Sequence, residues 1–363
     1  MSDDPVPEPD RIDGAPHPRE TLRLFGQDKA EAAFLTTLGT GRLHHAWLLS
    51  GPRGIGKATL AWRIARHLAR DDPGPTLDMD PDHPVWRRSQ ALAEPRIRLC
   101  RRAWDDKAKR LKTQLGVEEI RGLKGAFALT AAEGGWRAAI IDAVDELNTA
   151  AANALLKLLE EPPARTILLL VCHQPGRVLP TILSRTRRLP LATLAPEDLA
   201  RALLQAGQPA EEADLLHRLT RGSAGDAIRF LQGDGPEIAR AIADLLDAAP
   251  QMDRAAIAAL AARAAGRDNA HIYEIITRLT GLALADLARA GAGHAPDASQ
   301  ADADRAARLC PGPAAARGWA ATQQALTERI GHARAVNLDP EQVILDMFLS
   351  IETTAAQWRH AGG

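Results

Sequence analysis

Residues 47–60, WLLSGPRGIGKATL, restrict what this chain can fold into more than any other stretch. A short apolar run, Trp47-Leu48-Leu49, feeds a glycine-rich turn from Gly51 to Lys57, and a helical pattern comes after it. The spacing is that of a P-loop, G-x-x-x-x-G-K, in strand–loop–helix order. Glycines let backbone N–H groups turn inward around an anion, and the helix N-terminus adds its positive end. Gly51, Gly54, Gly56, Lys57 and Thr59 are therefore the candidate phosphate-binding residues, with Lys57 placed to reach the outer phosphates. Ala58 stands where the motif wants Ser or Thr, and a methyl group cannot ligate Mg²⁺. The stretch has the shape of a phosphate cradle with part of its chemistry missing.

A chain of 363 residues has room for about two or three domains. No apolar run approaches the ~20 residues needed to span a bilayer. The first twenty residues are acidic and proline-rich, unlike a signal peptide. They are expected to form a disordered arm, and a cytoplasmic location is the default. The net charge of −1 argues against an electrostatic grip on DNA by the whole protein; any such contact is local or made through a partner. Cys100, Cys172 and Cys310 lie far apart with no C-x-x-C pair, which points to free thiols and against a zinc site. His44 and His45 precede the first strand, and neighbouring residues on a strand point to opposite faces, so metal ligation is disfavoured.

In chain order, helices are expected at 29–40 and 57–70. Residues 71–116 are the hardest to read. Within them, 96–112 (RIRLCRRAWDDKAKRLK) carries eight cations against two acids. Two readings fit: a nucleic-acid or partner surface, or a solvated helix face with Leu99, Trp104 and Leu111 tucked in. The second is simpler, because only one aromatic residue interrupts the run. A helix is expected at 117–129 and a strand at 136–142. That strand closes on Asp142, the position of a Walker B carboxylate that holds Mg²⁺. The next residue, where a Glu could activate the attacking water, is Ala143. Asp145 and Glu146 come on a turn and need not point to one spot. A helix at 149–161, a buried strand at 166–171 and a short strand at 189–191 complete an α/β pattern that predicts a doubly wound parallel sheet. From residue 196 onward the chain reads as helical, first as a small bundle and then, from 236, as a second all-α region with a linker at 291–300.

Four stretches carry a family resemblance: HHAWLLSGPRGIGKATLA (44–61), ANALLKLLEEPP (152–163), ILSRTRRL (182–189) and RGSAGDAIRFL (221–231). Over roughly 20–235 the chain resembles the bacterial clamp-loader subunits of the AAA+ class. The resemblance implies an AAA+ P-loop α/β domain at 21–193, with 71–116 as an insert. It implies a helical lid at 194–235 and a helical collar for oligomerisation at 236–363. It implies membership of a DNA polymerase III holoenzyme, with tau/gamma and delta subunits, the sliding clamp and primer-template DNA as partners. In that family ATP sits between subunits, and each site takes an arginine from its neighbour. Here the matching residue is Arg185, with Thr186 where Cys is usual. Hydrolysing members have Thr after the P-loop Lys and Glu after the Walker B Asp, where this chain has Ala58 and Ala143. Cys172-His173 stands where a Thr is common, and of a four-cysteine zinc module the insert keeps only Cys100. The expectation is a largely non-hydrolysing stator with no zinc, no required cofactor and ATP or ADP at most docked in a degenerate loop. A hydrolysing tau/gamma-like motor is the alternative.

Overall fold

A computed structural model describes residues 7–129, 135–211, 213–266, 269–294 and 300–359. They form two compact units, Met1–Arg229 and Phe230–Gly363. The first opens with α1 (Asp28–Gly39), β1 (Ala46–Ser50) and α2 (Lys57–Leu68), then a short α3 (Pro84–Gln90). Next come β2 (Ile97–Arg101), α4 (Val117–Leu129), β3 (Arg137–Asp142), α5 (Thr149–Glu160), β4 (Thr166–Cys172), α6 (Pro180–Leu183) and β5 (Arg187–Pro190). The five strands make one parallel sheet in the order β2-β3-β4-β1-β5. This is the expected parallel α/β domain, with the glycine-rich loop after its first strand and helices after it.

Alternation along the strands explains why helices cover both faces. Trp47, Leu49, Ala138, Ile140, Ile167, Leu169 and Val171 point to one side, where they bury Phe34 of α1 and Leu60 and Ile64 of α2. Leu48, Ala139, Ile141, Leu168 and Leu170 point to the other, against Ile120 and Phe127 of α4 and Leu155 and Leu159 of α5. All seven residues of β4 are buried, which fits its unbroken apolar run and its central place. The helix α5 starts where Asn148 accepts a hydrogen bond from the Ala151 N–H at 2.8 Å.

Three expectations are corrected. Residues 96–112 are not a helix face: β2 is the outer strand of the sheet, and Trp104–Asp105 pairs antiparallel with Arg110–Leu111 in a small ribbon. The arm expected to be disordered is packed over residues 7–20, while 1–6 lie outside the described residues. His17 is fully buried there, and Arg101 of β2 holds Glu8 at 2.7 Å and Asp10 at 2.6 Å. Arg19 clasps the same Glu8 at 2.9 Å. Finally, the His44 and His45 rings stack at 4.5 Å instead of diverging, because β1 begins only at Ala46.

Three more helices, α7 (Pro196–Gln205), α8 (Ala213–Thr220) and α9 (Ala224–Gln232), come after the sheet. The boundary between the compact units falls inside α9, six residues before the sequence-derived limit of 235. The second unit is helical throughout its described residues. It holds α10 (Gly235–Ala248), α11 (Arg254–Ala262), α12 (Ala270–Gly291), α13 (Gln300–Leu309), α14 (Pro313–Val336) and α15 (Pro340–Arg359). Helix α13 begins at Gln300, where the expected linker ends; residues 295–299 of that linker lie outside the described ones. The buried Trp319 of α14 donates its indole N–H to the Leu309 carbonyl at 2.8 Å, fixing α14 to the end of α13.

Candidate functional site

The C-terminal ends of β1, β3 and β4 lie together, where parallel α/β sheets gather ligands. Past β1 the loop 51–56 turns on glycines with positive φ, +150° at Gly51, +73° at Gly54 and +98° at Gly56. Gly54 is required for a second reason. A Cβ there would lie 2.4 Å from Ser223 Oγ and 2.9 Å from the Gly225 backbone. The close approach is stitched by Gly225 N–H to Gly54 O at 2.9 Å and Ser223 Oγ–H to Arg53 O at 2.9 Å. The turn that starts α9 is therefore pinned onto the loop.

A cavity of about 200 Å³ opens here. Of the residues expected from sequence, it brings together Gly54, Gly56, Lys57, Thr59 and Asp142, with Ala58 and Ala143 beside them. Gly51 does not line it; the Gly51 carbonyl instead accepts a hydrogen bond from Lys57 Nζ at 2.7 Å. Lys57 Nζ also donates to the Pro52 carbonyl. The ammonium is thus satisfied by its own loop. Burial lowers its pKa to about 8, against the opposing pull of Asp142 and Asp145.

Asp142, at the end of β3, is pushed up to about 7, first by burial and next by the Asp10 carboxylate. Lys57 offsets part of this, and Glu146 adds to it. Asp10 comes from the N-terminal arm, which supplies one wall of the cavity through Pro9, Ile12 and Pro16. The two acids after Ala143 do point apart. Glu146 holds Arg53 at 2.5 Å and Arg102 at 2.8 Å across the cavity mouth. Asp145 turns toward the end of β4 and accepts the N–H groups of His173 and Gln174 at 2.9 and 3.1 Å. The half-buried His173 ring has its pKa lowered by desolvation and by the nearby Lys57 and Arg53 charges, which favours the neutral form. Arg229 of α9 also lines the cavity.

Sequence reading missed Asp10, Arg53, Arg102 and Arg229. Arg53 sits at a variable P-loop position, and the other three reach the site through the fold from distant parts of the chain. The residues fit the phosphate end of a nucleotide in shape: a glycine loop, Lys57 and a helix N-terminus. They do not fit metal-assisted hydrolysis, because the side chains beside Lys57 and after Asp142 are methyl groups. Among the described residues no cluster of three or more His, Cys, Asp or Glu could hold a metal ion. Cys100 is buried, and its thiol is pushed up to about 12.

Arg185 lies apart from this cavity, in the turn after α6. Its Nη2 pairs with Glu160 Oε1 at 2.9 Å and its Nη1 donates to the Thr181 carbonyl at 3.1 Å. The side chain keeps 38% of its surface exposed. The simple alternative for this residue, pairing with a carboxylate, is thus present, and the outward exposure is present with it.

Comparisons with known proteins match the first part of the chain to subunits of DNA polymerase III. The family described as "DNA polymerase III, delta subunit" matches residues 26–195. The DNA polymerase III subunit delta' of Pseudomonas aeruginosa is 36% identical over 229 residues, 58% of this chain and 63% of that protein. The gamma/tau subunit of Mycobacterium bovis is 32% identical over 223 residues, 59% of this chain and 37% of that protein. Both matches span less than two thirds of the relative's own length. Among solved structures, a gamma-subunit-related protein of Thermotoga maritima is 15% identical, covers 89% of this chain and 99% of its own, and has a TM-score of 0.36. No helix among the described residues is long and apolar enough to cross a membrane. With the loop, the sheet and the Arg185 turn all inside the matched stretch, this part of the chain is similar to the DNA polymerase III subunit delta'.

Proposed function

We propose that this chain is the delta-prime-like stator of a bacterial clamp loader. It works in the cytoplasm within a hetero-oligomer of tau/gamma and delta subunits, and it helps place the sliding clamp on primed DNA. It hydrolyses little or no ATP itself and lends Arg185 to the ATP site of a neighbouring subunit. The helices from α7 onward serve as lid and collar in this reading. The observation that carries it is the state of the loop. Lys57 is turned onto the Gly51 and Pro52 carbonyls, and Ala58 and Ala143 flank the place where a metal ligand and a base would stand. Metal and electrostatic terms dominate phosphoryl transfer, so losing both groups removes most of the drive. ATP or ADP docks in the degenerate loop at most as a bound ligand, held by Lys57 and the loop glycines, and no zinc is needed.

The similarity to gamma/tau subunits favours one second reading, a hydrolysing motor. A steady-state ATPase assay on the purified chain with Mg²⁺ separates the two. Turnover at background level is the expected result. Brisk turnover that disappears in Lys57→Ala would establish the motor. Native mass spectrometry of the mixed loader subunits tests the partners and retained nucleotide in one measurement.

A further inference from the structure

We propose that Glu160 is a positioning residue for Arg185: it holds the guanidinium outward before the neighbouring subunit's triphosphate arrives. The inference rests on the trans-arginine reading above. Arg185 is gripped from two elements. Glu160, the last residue of α5, takes Nη2 at 2.9 Å, and Thr181 of α6 takes Nη1 with its carbonyl at 3.1 Å. The Arg185 N–H is itself fixed to Ile182 O at 3.1 Å, so the residue's backbone and its head are both tied down. A guanidinium has five N–H donors, and these contacts leave Nε and one Nη2 hydrogen without a partner among the described residues. A long arginine side chain loses substantial rotamer freedom when it docks, and fixing it beforehand lowers that cost in the transition state.

The placement of Glu160 is unusual on local grounds. An acid in the last turn of a helix opposes the macrodipole, where a Lys or Arg would be favoured. Here Glu161 comes next and Pro162 and Pro163 stop the helix, so the helix end carries two acids in succession. Glu160 is matched at this end by the one cation that the proposed function sends to another subunit. Both side chains are substantially exposed, Glu160 at 51%, and exposed pairs contribute little to stability. The pair is therefore better suited to aiming a side chain than to holding the fold.

The test is a double-mutant cycle in the reconstituted loader, using full-length chains and clamp-stimulated ATP turnover, with kcat and KM measured separately. Melting of each isolated variant reports folding. Glu160→Ala is expected to lower kcat about 3- to 10-fold with KM for ATP unchanged within about twofold. Glu160→Gln, which keeps an acceptor, should recover part of the loss. In the Arg185→Ala background, Glu160→Ala should cost nothing further, because its effect passes through that arginine. Wild-type kcat in Glu160→Ala, alongside a loss in Arg185→Ala, would overturn the positioning role and leave the trans-arginine reading standing. So would losses that multiply in the double variant, since a merely structural residue behaves that way. Unchanged turnover in Arg185→Ala itself would remove the trans reading, and this inference with it.

Discussion

Two corners of the same α/β domain carry arginine or lysine groups of the kind that bind phosphate, and they treat those charges in opposite ways. At the loop, Lys57 is buried and satisfied by its own backbone, while Arg53 and Arg102 are both tied to Glu146. At the turn after α6, Arg185 is half-buried, with 38% of its side chain exposed, and it is held by Glu160 and the Thr181 carbonyl. An inward cation that is already satisfied gains little from a ligand. A cation that is held but not enclosed keeps donors for a further partner, which the proposed function takes to be a group on another chain. The proposed function rests on that contrast: it puts the useful charge at the Arg185 turn and not in the cleft.

The sharpest way to break that contrast is Arg185→Ala in the reconstituted loader. Assembly should survive, and clamp-stimulated ATP turnover should fall at least about tenfold, since arginine fingers contribute more than this where they act. Native mass spectrometry checks assembly and a phosphate-release assay checks turnover. Next comes Gly54→Ala, which strikes the stitched loop. Its positive φ and the 2.4 Å approach to Ser223 Oγ leave no room for a methyl group. A loss of about 2–3 kcal/mol by chemical denaturation is expected.

A smaller effect concerns Asp142. Its carboxyl is raised to about 7 in the fold, against an unfolded value near 4. The folded chain therefore binds this proton more tightly than the unfolded chain, and stability falls as pH rises from about 4 to 7. Asp142→Asn should flatten that fall, raising the melting temperature at pH 8 by about 2–4 °C and leaving it unchanged at pH 4. Smallest of all is Lys57→Ala, which should change turnover of the whole loader by less than about twofold. A large loss there, equal to that of Arg185→Ala, would erase the distinction between the two corners.

Much of this is legible in the residues, and the failures have physical causes. The loop, the strand ending at Asp142 and the buried run of β4 announce themselves by local spacing. Strand β2 does not. In IRLCR the two arginines, Arg98 and Arg101, are three residues apart and so on opposite faces of the strand, which breaks the period-two pattern and masks the strand. The arm at 7–20 reads as disordered because acids and prolines dominate it. Its order comes from partners 91 and 93 residues away, Asp10 and Glu8 meeting Arg101, and no local pattern encodes such a pairing. The same limit hides Arg229 and Arg102, whereas Lys57 and Asp142 stand out because their motif is contiguous or ends a strand.

The packed arm has a practical corollary. Because Pro9, Asp10 and Ile12 form part of the wall around the loop, and Asp10 helps set the proton affinity of Asp142, trimming the chain to start near residue 21 would do more than tidy it. Such a shortened protein would have a wider cleft, an unpaired Arg101 and a more acidic Asp142, so ligand measurements made on it would describe a different site.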